Sequence, residues 1–371
     1  MALKIIYFGT WEKNYSRNKI IIDGLKKAGA DIKLYHVKTV WNTKLHKTNL
    51  SKAKIVIDFF KAYFLMIRNF FKIKDYDFLI VGYPGWFDMP LAWFLNKIKG
   101  KKLVFDSYFS IYDSIVNDRK SAKKGSLKAK LLFFVDKTAC RMADIILLDT
   151  KEHIKYFSNE FKIKKNKFIR VFIGADDKIF FPRKNMKKSK KFKVIFHGKF
   201  IPLQGVPFII KAAKLLEDEN IEFDIIGGGQ LEKDMKKLNR KLDVNNVSFL
   251  GFIDINKLPD YLAKADIGLG IFGDTKKAKR VIPNKAFEIL AMKIPLLTGD
   301  SAAAVEVLED KKHCVLCKMA DPKAIADSIL LLKKDKNLRK KISLNGYTLF
   351  KDKFSPDAIG EELKKELLKR R

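Results

Sequence analysis

Short apolar runs alternate with longer segments of helical period along the first half of the chain. Strands are predicted at Lys4–Phe8, Ile32–Val37, Phe78–Val81, Leu103–Phe105 and Ile145–Leu148. The first strand is followed by Gly9-Thr10 and then by apolar positions at helical spacing up to about Gly29. Continuous apolar strands that alternate with helices are typical of a parallel sheet with helices on both faces.

The same alternation restarts after a basic segment. Residues 183–193 hold seven basic residues and no acidic one, and we interpret residues 176–193 as an interdomain linker. Beyond it, strands are predicted at Val194–Phe196, Phe223–Ile226, Val247–Leu250, Ile267–Leu269, Pro295–Leu297 and Cys314–Leu316, and helices at Phe208–Leu216, Leu231–Leu242, Leu258–Ala265 and Lys285–Met292. The fold class predicted is α/β, with two Rossmann-like domains, residues 1–175 and 194–345, facing across a cleft that holds the ligands at the carboxyl ends of the strands.

The net charge of the chain indicates a polyanionic binding partner. The chain has 76 Lys and Arg against 42 Asp and Glu, a net charge of +34. Phosphorylated substrates, an anionic membrane surface and nucleic acid all fit such an excess. A basic nucleic-acid-binding protein is the alternative function class, but the sequence has no RNP-type aromatic motif, paired zinc ligands or helix-turn-helix pattern. We therefore expect no nucleic-acid partner.

Cysteine usage indicates a reducing compartment. The odd number of cysteines, Cys140, Cys314 and Cys317, argues against a disulfide framework. The pair Cys314 and Cys317 lies in an apolar run without a second pair to complete a zinc site, so a buried strand is favoured over redox or metal chemistry. The N-terminal residues enter a strand at once. We therefore expect no signal peptide and a cytoplasmic location.

The segment Lys52–Lys72 is predicted to be an amphipathic helix. Five of its six charged residues, Lys54, Asp58, Lys61, Arg68 and Lys72, share one helical face, and phenylalanine and isoleucine side chains cover the rest. These charges argue against a membrane-spanning helix. Two interpretations stay open: an ordinary covering helix of the first domain, or a helix lying at an anionic membrane surface, which would hold the protein at the inner face of the membrane.

Loops after strands of the second half have the features that a nucleotide diphosphate requires. Such a ligand needs backbone N–H donors at glycine loops and helix N-termini, and a cation that reaches the phosphates. Gly198-Lys199 follows a strand directly before a helix, and Lys199 is the predicted diphosphate ligand. The run Gly227-Gly228-Gly229 has the same arrangement, although close helix–strand packing explains it equally well.

A helix start supplies a second cation and a carboxylate. In Asn284-Lys285-Ala286-Phe287-Glu288, Lys285 is available to phosphates and Glu288 is able to accept both hydroxyls of a ribose. A structural helix with an acid in its first turn is the alternative.

Together with Gly198-Lys199, Gly227–Gly229 and Ala263–Gly268, the run Asn284–Pro295 resembles the retaining glycosyltransferases of family 4, also called group 1. The resemblance covers nearly all of the chain and is more specific in its second half. It implies the GT-B fold, a nucleotide-diphosphate sugar on the C-terminal domain, and neither metal nor other cofactor. It also implies a C-terminal helix, here within residues 346–371, that crosses back to the first domain; Ser355-Pro356-Asp357 has the residues that start one.

The activity that the resemblance implies is transfer of a sugar, with retention, to a glycan or lipid-linked acceptor in cell-surface polysaccharide or glycolipid assembly. The resemblance also implies a same-face attack in which the leaving phosphate takes the acceptor proton; the sequence itself offers no clear nucleophile. A non-catalytic relative with the same fold is the alternative.

Site residues are carried over by position. Family members have two glutamates eight positions apart: Glu288 matches the second, which holds the ribose, but the first position is Arg280. The usual Arg and Lys on the diphosphate fall on Lys199 and Gln204, so Lys285 is expected to replace the missing cation. A loop of small residues matches the donor-sugar contact and adds Ala303 and Glu306. The other donor-side candidates are Gly198, Gly205, Gly228, Phe252, Asn284 and Phe287.

The acceptor side is expected in the first domain. Asp106 and Ser107 follow a strand at a point where similar enzymes often have a histidine that contacts the sugar. Asp106 is expected to orient a sugar hydroxyl or to receive the acceptor proton, with helix capping equally open. The remaining acceptor-side candidates are Gly9, Thr10, Arg17 and Asn18, and the nearby acids Asp113 and Asp118 are expected to line the same cleft.

Overall fold

The computed structural model describes residues 2–39, 52–184, 186 and 189–371. These residues form two compact units. Unit 1 consists of Met1–Tyr112, Ala122–Phe172 and Pro356–Arg371, and unit 2 of Asp113–Ser121 and Ile173–Ser355. Each unit has one six-stranded parallel sheet with helices packed against it. The predicted α/β architecture of two Rossmann-like sheets is confirmed.

The sheet of unit 1 has the strand order β2-β1-β3-β4-β5-β6. Its strands are β1 Lys4–Gly9, β2 Asp31–His36, β3 Phe78–Val81, β4 Lys102–Tyr108, β5 Ile145–Leu148 and β6 Phe168–Arg170. Its helices are α1 Ser16–Lys27, α2 Lys52–Phe70, α3 Met89–Lys99, α4 Leu127–Met142 and α5 Lys151–Phe161. The apolar strands β3 and β5 are completely buried, as expected for the interior of a parallel sheet.

Helix starts in unit 1 follow the local sequence. Ser126 caps α4 by accepting a hydrogen bond from the amide of Ala129, and Thr150 caps α5 in the same way from the amide of His153. Helix α2 occupies the segment predicted to be amphipathic.

The sheet of unit 2 has the strand order β12-β11-β10-β7-β8-β9. Its strands are β7 Phe192–Lys199, β8 Ile221–Gly228, β9 Val247–Gly251, β10 Ile267–Leu269, β11 Leu296–Gly299 and β12 Val315–Cys317. Its helices are α6 Val206–Lys214, α7 Glu232–Lys241, α8 Leu258–Leu262, α9 Asn284–Ala291, α10 Pro322–Lys334 and α11 Lys336–Leu349. The strand order reverses next to β7, and the carboxyl end of a strand at such a switch point is where doubly wound sheets bind ligands.

Helix α12, Pro356–Leu368, returns to unit 1 and packs on α1. The two helices approach closely at a pair of glycines, because a Cβ added to Gly360 would lie 2.0 Å from the carbonyl carbon and oxygen of Gly24. The predicted return of the C-terminal helix to the first domain is confirmed, and the helix begins at the predicted Pro356.

Several elements differ from the expectation. Strand β7 begins at Phe192, inside the segment interpreted as a linker, of which residues 185, 187 and 188 lie outside the described residues. Strand β6 and helices α10 and α11 were not predicted. Cys317 ends strand β12, and Cys314 and Cys317 are both buried, as the strand interpretation predicts. Cys140 is buried in helix α4.

Candidate functional site

The predicted donor residues of unit 2 gather at the carboxyl ends of β7 and β8 and at the N-terminus of α9. Glycines allow the two strand ends to approach, because Gly227 has a φ of +124° and a Cβ there would lie 2.0 Å from the carbonyl oxygen of Gly198. The strand pairing also places Lys199 beside Gly228. The glycine run is therefore explained by close packing, and it leaves backbone at the rim of the site.

Glu288 lies in α9 and is largely buried. Its Oε2 lies 2.6 Å from Nε2 of His197, the residue before Gly198 on β7, and the two side chains are 11% and 7% exposed. A carboxylate with one hydrogen-bond partner keeps lone pairs for other donors. Glu288 is thus held in one orientation from the sheet side, and its remaining acceptor capacity is available to hydroxyl groups.

Lys285, one turn before Glu288, is buried at the same place. Its Nζ donates to Oε1 of Gln204 at 2.5 Å and lies 3.4 Å from the centroid of the Phe196 ring. Burial holds the pKa of the Lys285 amine well below its usual value, and the nearby Glu288 raises it in part. A bound anion would stabilise the ammonium form further. The ammonium of Lys285 therefore lies next to Gln204, the position at which the resemblance implies a cation and this sequence has none.

Lys199 is the exposed cation of the group. It follows Gly198, whose Cα lies beside the Lys285 side chain, because a Cβ added there would be 2.8 Å from Nζ. No hydrogen bond or ion pair among the described residues occupies the Lys199 ammonium. Gly205, also predicted, has a φ of +73° and touches the backbone of Phe272 and Gly273, which explains this glycine by packing.

The other predicted donor residues are more scattered. Phe252 is 74% exposed and a Cβ on Gly228 would touch its ring, whereas Asn284 is partly exposed at the start of α9. The side chain of Phe287 is 1% exposed and packs edge-on against Phe354, so the predicted contact of Phe287 with a substrate would have to be made by its backbone.

The loop of small residues forms a short turn. Ser301 accepts a hydrogen bond from the amide of Ala304, and the fully buried Ala303 donates its amide to the carbonyl of Lys279. Glu306 is partly exposed at the end of this turn.

Arg280 occupies the position at which the resemblance implies the first of two glutamates, and Asp113 neutralises its charge. Its Nη2 donates to both carboxylate oxygens of Asp113 at 2.7 and 2.9 Å. Thr275 donates to Asp118 at 3.0 Å, and Lys277 donates to Ser114. Burial lowers the pKa of Lys277, and the two aspartates oppose this shift. Asp113 and Asp118 thus belong to an internal network of unit 2, which corrects the expectation that they line an acceptor site.

Asp106 is completely buried in unit 1 and forms an ion pair with Arg17. Both oxygens of its carboxylate accept from the guanidinium at 3.0–3.2 Å, and Arg17 also donates to the carbonyls of Val171 and Phe172. Burial raises the pKa of Asp106, and the guanidinium opposes that shift. With no exposed surface on either side chain, the expected contact of Asp106 and Arg17 with an acceptor is corrected to a structural ion pair.

The other acceptor-side candidates are also used internally. The amide of Asn18 donates to the carbonyls of Glu12 and Tyr83, and its oxygen accepts from Tyr7, so its bonding capacity is filled. Thr10 donates its amide and hydroxyl to Asp88, and a Cβ on Gly9 would meet the same carboxylate. Ser107 is buried. The side chains of Thr10 and Asn18 are thus engaged within unit 1, and contact of Gly9, Thr10, Asn18 or Ser107 with a substrate stays a prediction.

The sequence analysis assigned no role to His197. The available signal was a polar residue at the end of a buried apolar strand, immediately before a glycine at the end of the strand. Its partner Glu288 lies 91 positions further along the chain, so the pairing itself was not readable from spacing.

Among the described residues, no group of three His, Cys, Asp or Glu side chains is arranged to hold a metal ion. Of the helices in the described ranges, none has the length and apolar character needed to cross a membrane.

Two Rossmann-like sheets and a C-terminal helix that returns to the first unit define the GT-B fold of glycosyltransferases. Residues 177–349 match the model of the family Glycosyl transferases group 1. The Anabaena protein HepE, solved in complex with UDP and glucose, superposes with a TM-score of 0.73 over 99% of this chain and 100% of its own, at 14% identity.

Curated relatives are distant. An uncharacterised glycosyltransferase of Methanocaldococcus jannaschii is 24% identical over 62% of this chain and 60% of its own length. The capsular polysaccharide biosynthesis glycosyltransferase CapM of Staphylococcus aureus is 22% identical over 63% of each chain. The chain therefore spans about three fifths of the length of these relatives.

Proposed function

We propose that the protein is a retaining, metal-independent glycosyltransferase that moves a sugar from a nucleotide-diphosphate sugar to a glycan or lipid-linked acceptor. The observation that carries the proposal is the buried group of His197, Glu288, Lys285 and Gln204 at the strand ends of unit 2. It combines a carboxylate with spare acceptor capacity and an ammonium whose charge an anion would stabilise. The family match of residues 177–349 and the UDP bound to HepE support a nucleotide donor.

Each side chain has a role in this proposal. Glu288 accepts the ribose hydroxyls, while Lys199 and Lys285 neutralise the diphosphate. Negative charge grows on that group as the bond from the anomeric carbon to the phosphate oxygen breaks, and fixed positive charge there lowers the barrier. The acceptor hydroxyl attacks the anomeric carbon from the same face, and the departing phosphate oxygen takes its proton. Asp106 has only a structural role in this scheme.

The place of action is part of the proposal. The relative CapM, which acts in capsular polysaccharide biosynthesis, supports cell-surface polysaccharide or glycolipid assembly. Lipid-linked acceptors of that assembly would be met by a cytoplasmic enzyme at the inner face of the membrane, and the net charge of +34 favours an anionic surface.

Calorimetric titration of the full chain tests the donor site. UDP, GDP, ADP and CDP are compared first, and the tightest binder is titrated into Glu288→Ala and Lys199→Ala. Each variant loses a charge-assisted hydrogen bond of about 2 kcal/mol, which weakens binding about thirtyfold. Lys241→Ala, an exposed lysine of α7, is the matched control and keeps wild-type affinity.

Two outcomes contradict the proposal. If both variants bind nucleotide as the wild type does while remaining folded, the donor site is elsewhere. If sugar transfer from the matching nucleotide sugar stops in EDTA and recovers with a divalent cation, the metal-independent mechanism is wrong.

A further inference from the structure

Three neighbouring helices of unit 1 form one outer layer. The connections β2 to β3, β3 to β4 and β4 to β5 all step in the same direction along the sheet. Because parallel crossovers are right-handed, their helices α2, α3 and α4 lie on the same face of the sheet. Helix α3 packs against both α2 and α4. The side chains that point away from the sheet on these helices therefore share one surface.

That outer surface is apolar. On α2 the inward side chains Met66 and Phe70 are buried in the core, whereas Phe60 and Phe64 are 73% and 66% exposed. Exposed apolar side chains recur on all three helices, and we call this set the outer apolar face: Val56, Ile57, Phe60, Phe64, Ile67 and the following Phe71 on α2; Trp93, Phe94 and Ile98 on α3; Leu127, Leu131 and Phe134 on α4. Their spacing of three or four residues along each helix forms outward stripes.

A shallow apolar cavity lies at one edge of this face. Phe59, Phe60 and Tyr63 of α2 enclose about 370 Å³ together with Val56 and with Phe87, which precedes α3. Soluble monomers rarely expose apolar patches of this extent, and a large one marks an interaction site. The covering-helix interpretation of residues 52–72 is thus incomplete, since α2 covers the sheet with one side and presents phenylalanines outward with the other.

The charges around the outer apolar face are predominantly positive. Helices α2, α3 and α4 contain ten Lys and Arg but two acids, Asp58 and Asp136. Asp136 is fully buried and accepts hydrogen bonds from Ser110 and from the amide of Tyr112, so it adds no outward charge. Exposed cations lie on each helix: Lys61 and Arg68 on α2, Lys97 and Lys99 on α3, Lys128 and Lys130 on α4.

We propose that the outer apolar face of α2, α3 and α4 docks on an anionic lipid membrane. The aromatic and aliphatic side chains enter the boundary between headgroups and acyl chains, and the surrounding Lys and Arg side chains bind the lipid phosphates. A lipid surface fits better than a protein partner because the apolar residues form a layer three helices wide with cations on every helix. The proposal extends the peripheral location from one helix to a defined surface and does not depend on the donor site.

Co-sedimentation of the full chain with vesicles tests the surface. Vesicles of phosphatidylcholine alone are compared with vesicles containing 30% phosphatidylglycerol, at about 50 and 500 mM NaCl. We expect the wild type to bind the anionic vesicles at low salt and to be released at high salt, as headgroup attraction is screened.

Matched variants separate apolar and charge contributions. Phe64→Ser, Phe94→Ser and Phe134→Ser together remove one exposed ring from each helix, and we expect binding to anionic vesicles to fall more than tenfold. The control combines Leu215→Ser, Leu250→Ser and Leu344→Ser, three exposed apolar residues of unit 2, and keeps wild-type binding. Lys61→Glu, Arg68→Glu and Lys97→Glu together should also reduce binding more than tenfold and weaken its salt dependence.

The result that overturns the proposal is equal sedimentation of the wild type and the phenylalanine variant with anionic vesicles, or no sedimentation of the wild type at low salt. A concentration-dependent dimer that the phenylalanine variant abolishes would also overturn it, because the face would then join two copies of the chain. Nucleotide titration of the same variant distinguishes the two proposals: unchanged affinity leaves the donor site intact whatever the vesicles show.

Discussion

Replacing His197 by alanine tests whether the sheet orients the Glu288 carboxylate. The contact between His197 and Glu288 is short, 2.6 Å, and the two side chains are only 7% and 11% exposed. A hydrogen bond to a charged group stabilises a fold by about 1.5–3 kcal/mol. We expect the free energy of unfolding of unit 2 to fall by about 2 kcal/mol, which lowers the melting temperature by about 4–8 °C for a unit of this size.

The orienting role predicts a second, separable effect. Without His197 the carboxylate of Glu288 is free to rotate, and we expect nucleotide diphosphate to bind about tenfold more weakly by calorimetry, a loss of about 1.4 kcal/mol. His197→Gln, which retains a side-chain N–H, should recover most of the affinity. His313→Ala removes another buried histidine of unit 2 and should lower stability without changing nucleotide affinity.

Two results would refute this reasoning. If His197→Ala loses stability but binds nucleotide normally, the pair only holds the fold together. If neither the stability nor the nucleotide affinity changes, the hydrogen bond between His197 and Glu288 contributes to neither in solution.

Three further predictions concern titration and packing. Burial raises the pKa of Asp88 to about 7, so the stability it contributes is complete below pH 4 and is lost as the pH rises through 7. The free energy of unfolding, measured with denaturant, should therefore fall by about 3 kcal/mol between pH 5 and 8, and Asp88→Asn should flatten this profile. Because burial lowers the pKa of Lys285, nucleotide diphosphate binding should be coupled to the uptake of a proton and should weaken as the pH rises. Calorimetry in two buffers of different ionisation heat measures this uptake, which should vanish in Lys285→Met. Gly360→Ala should reduce the free energy of unfolding by about 1–3 kcal/mol, since its Cβ would overlap Gly24, whereas Glu361→Ala on the exposed side of the same helix should be neutral.

Local signals were sufficient for most strands and for the donor loops. Strand β5, Ile145–Leu148, consists of four apolar residues and is completely buried, so its hydrophobic pattern alone identifies it. Strand β6 has three residues, Phe168–Arg170, too few for any period to emerge. The positions of Gly198-Lys199 at a strand end and of Asn284–Glu288 at a helix start were also predicted from the local sequence, while their binding of a donor stays a prediction.

Long-range pairing is where prediction from the sequence failed. Asp106 was expected to face a substrate, but Arg17 lies 89 positions earlier and fills its carboxylate in the fold. Asp113 and Arg280 are 167 positions apart and neutralise one another in the same way. A charged residue at the end of a strand has the same local sequence whether it contacts a ligand or a buried partner. Only the tertiary structure distinguishes the two.

The close contact between Gly24 on α1 and Gly360 on α12 has a consequence for the order in which the chain folds on the ribosome. Residues 173–355 of unit 2 emerge before α12 does. The core of unit 2 can therefore form during translation. The face of α1 that packs on α12 stays exposed until that helix, more than 300 residues later in the chain, has been made. Unit 1 is begun first and finished last, and in that interval its uncovered face is the natural point of contact for chaperones and proteases.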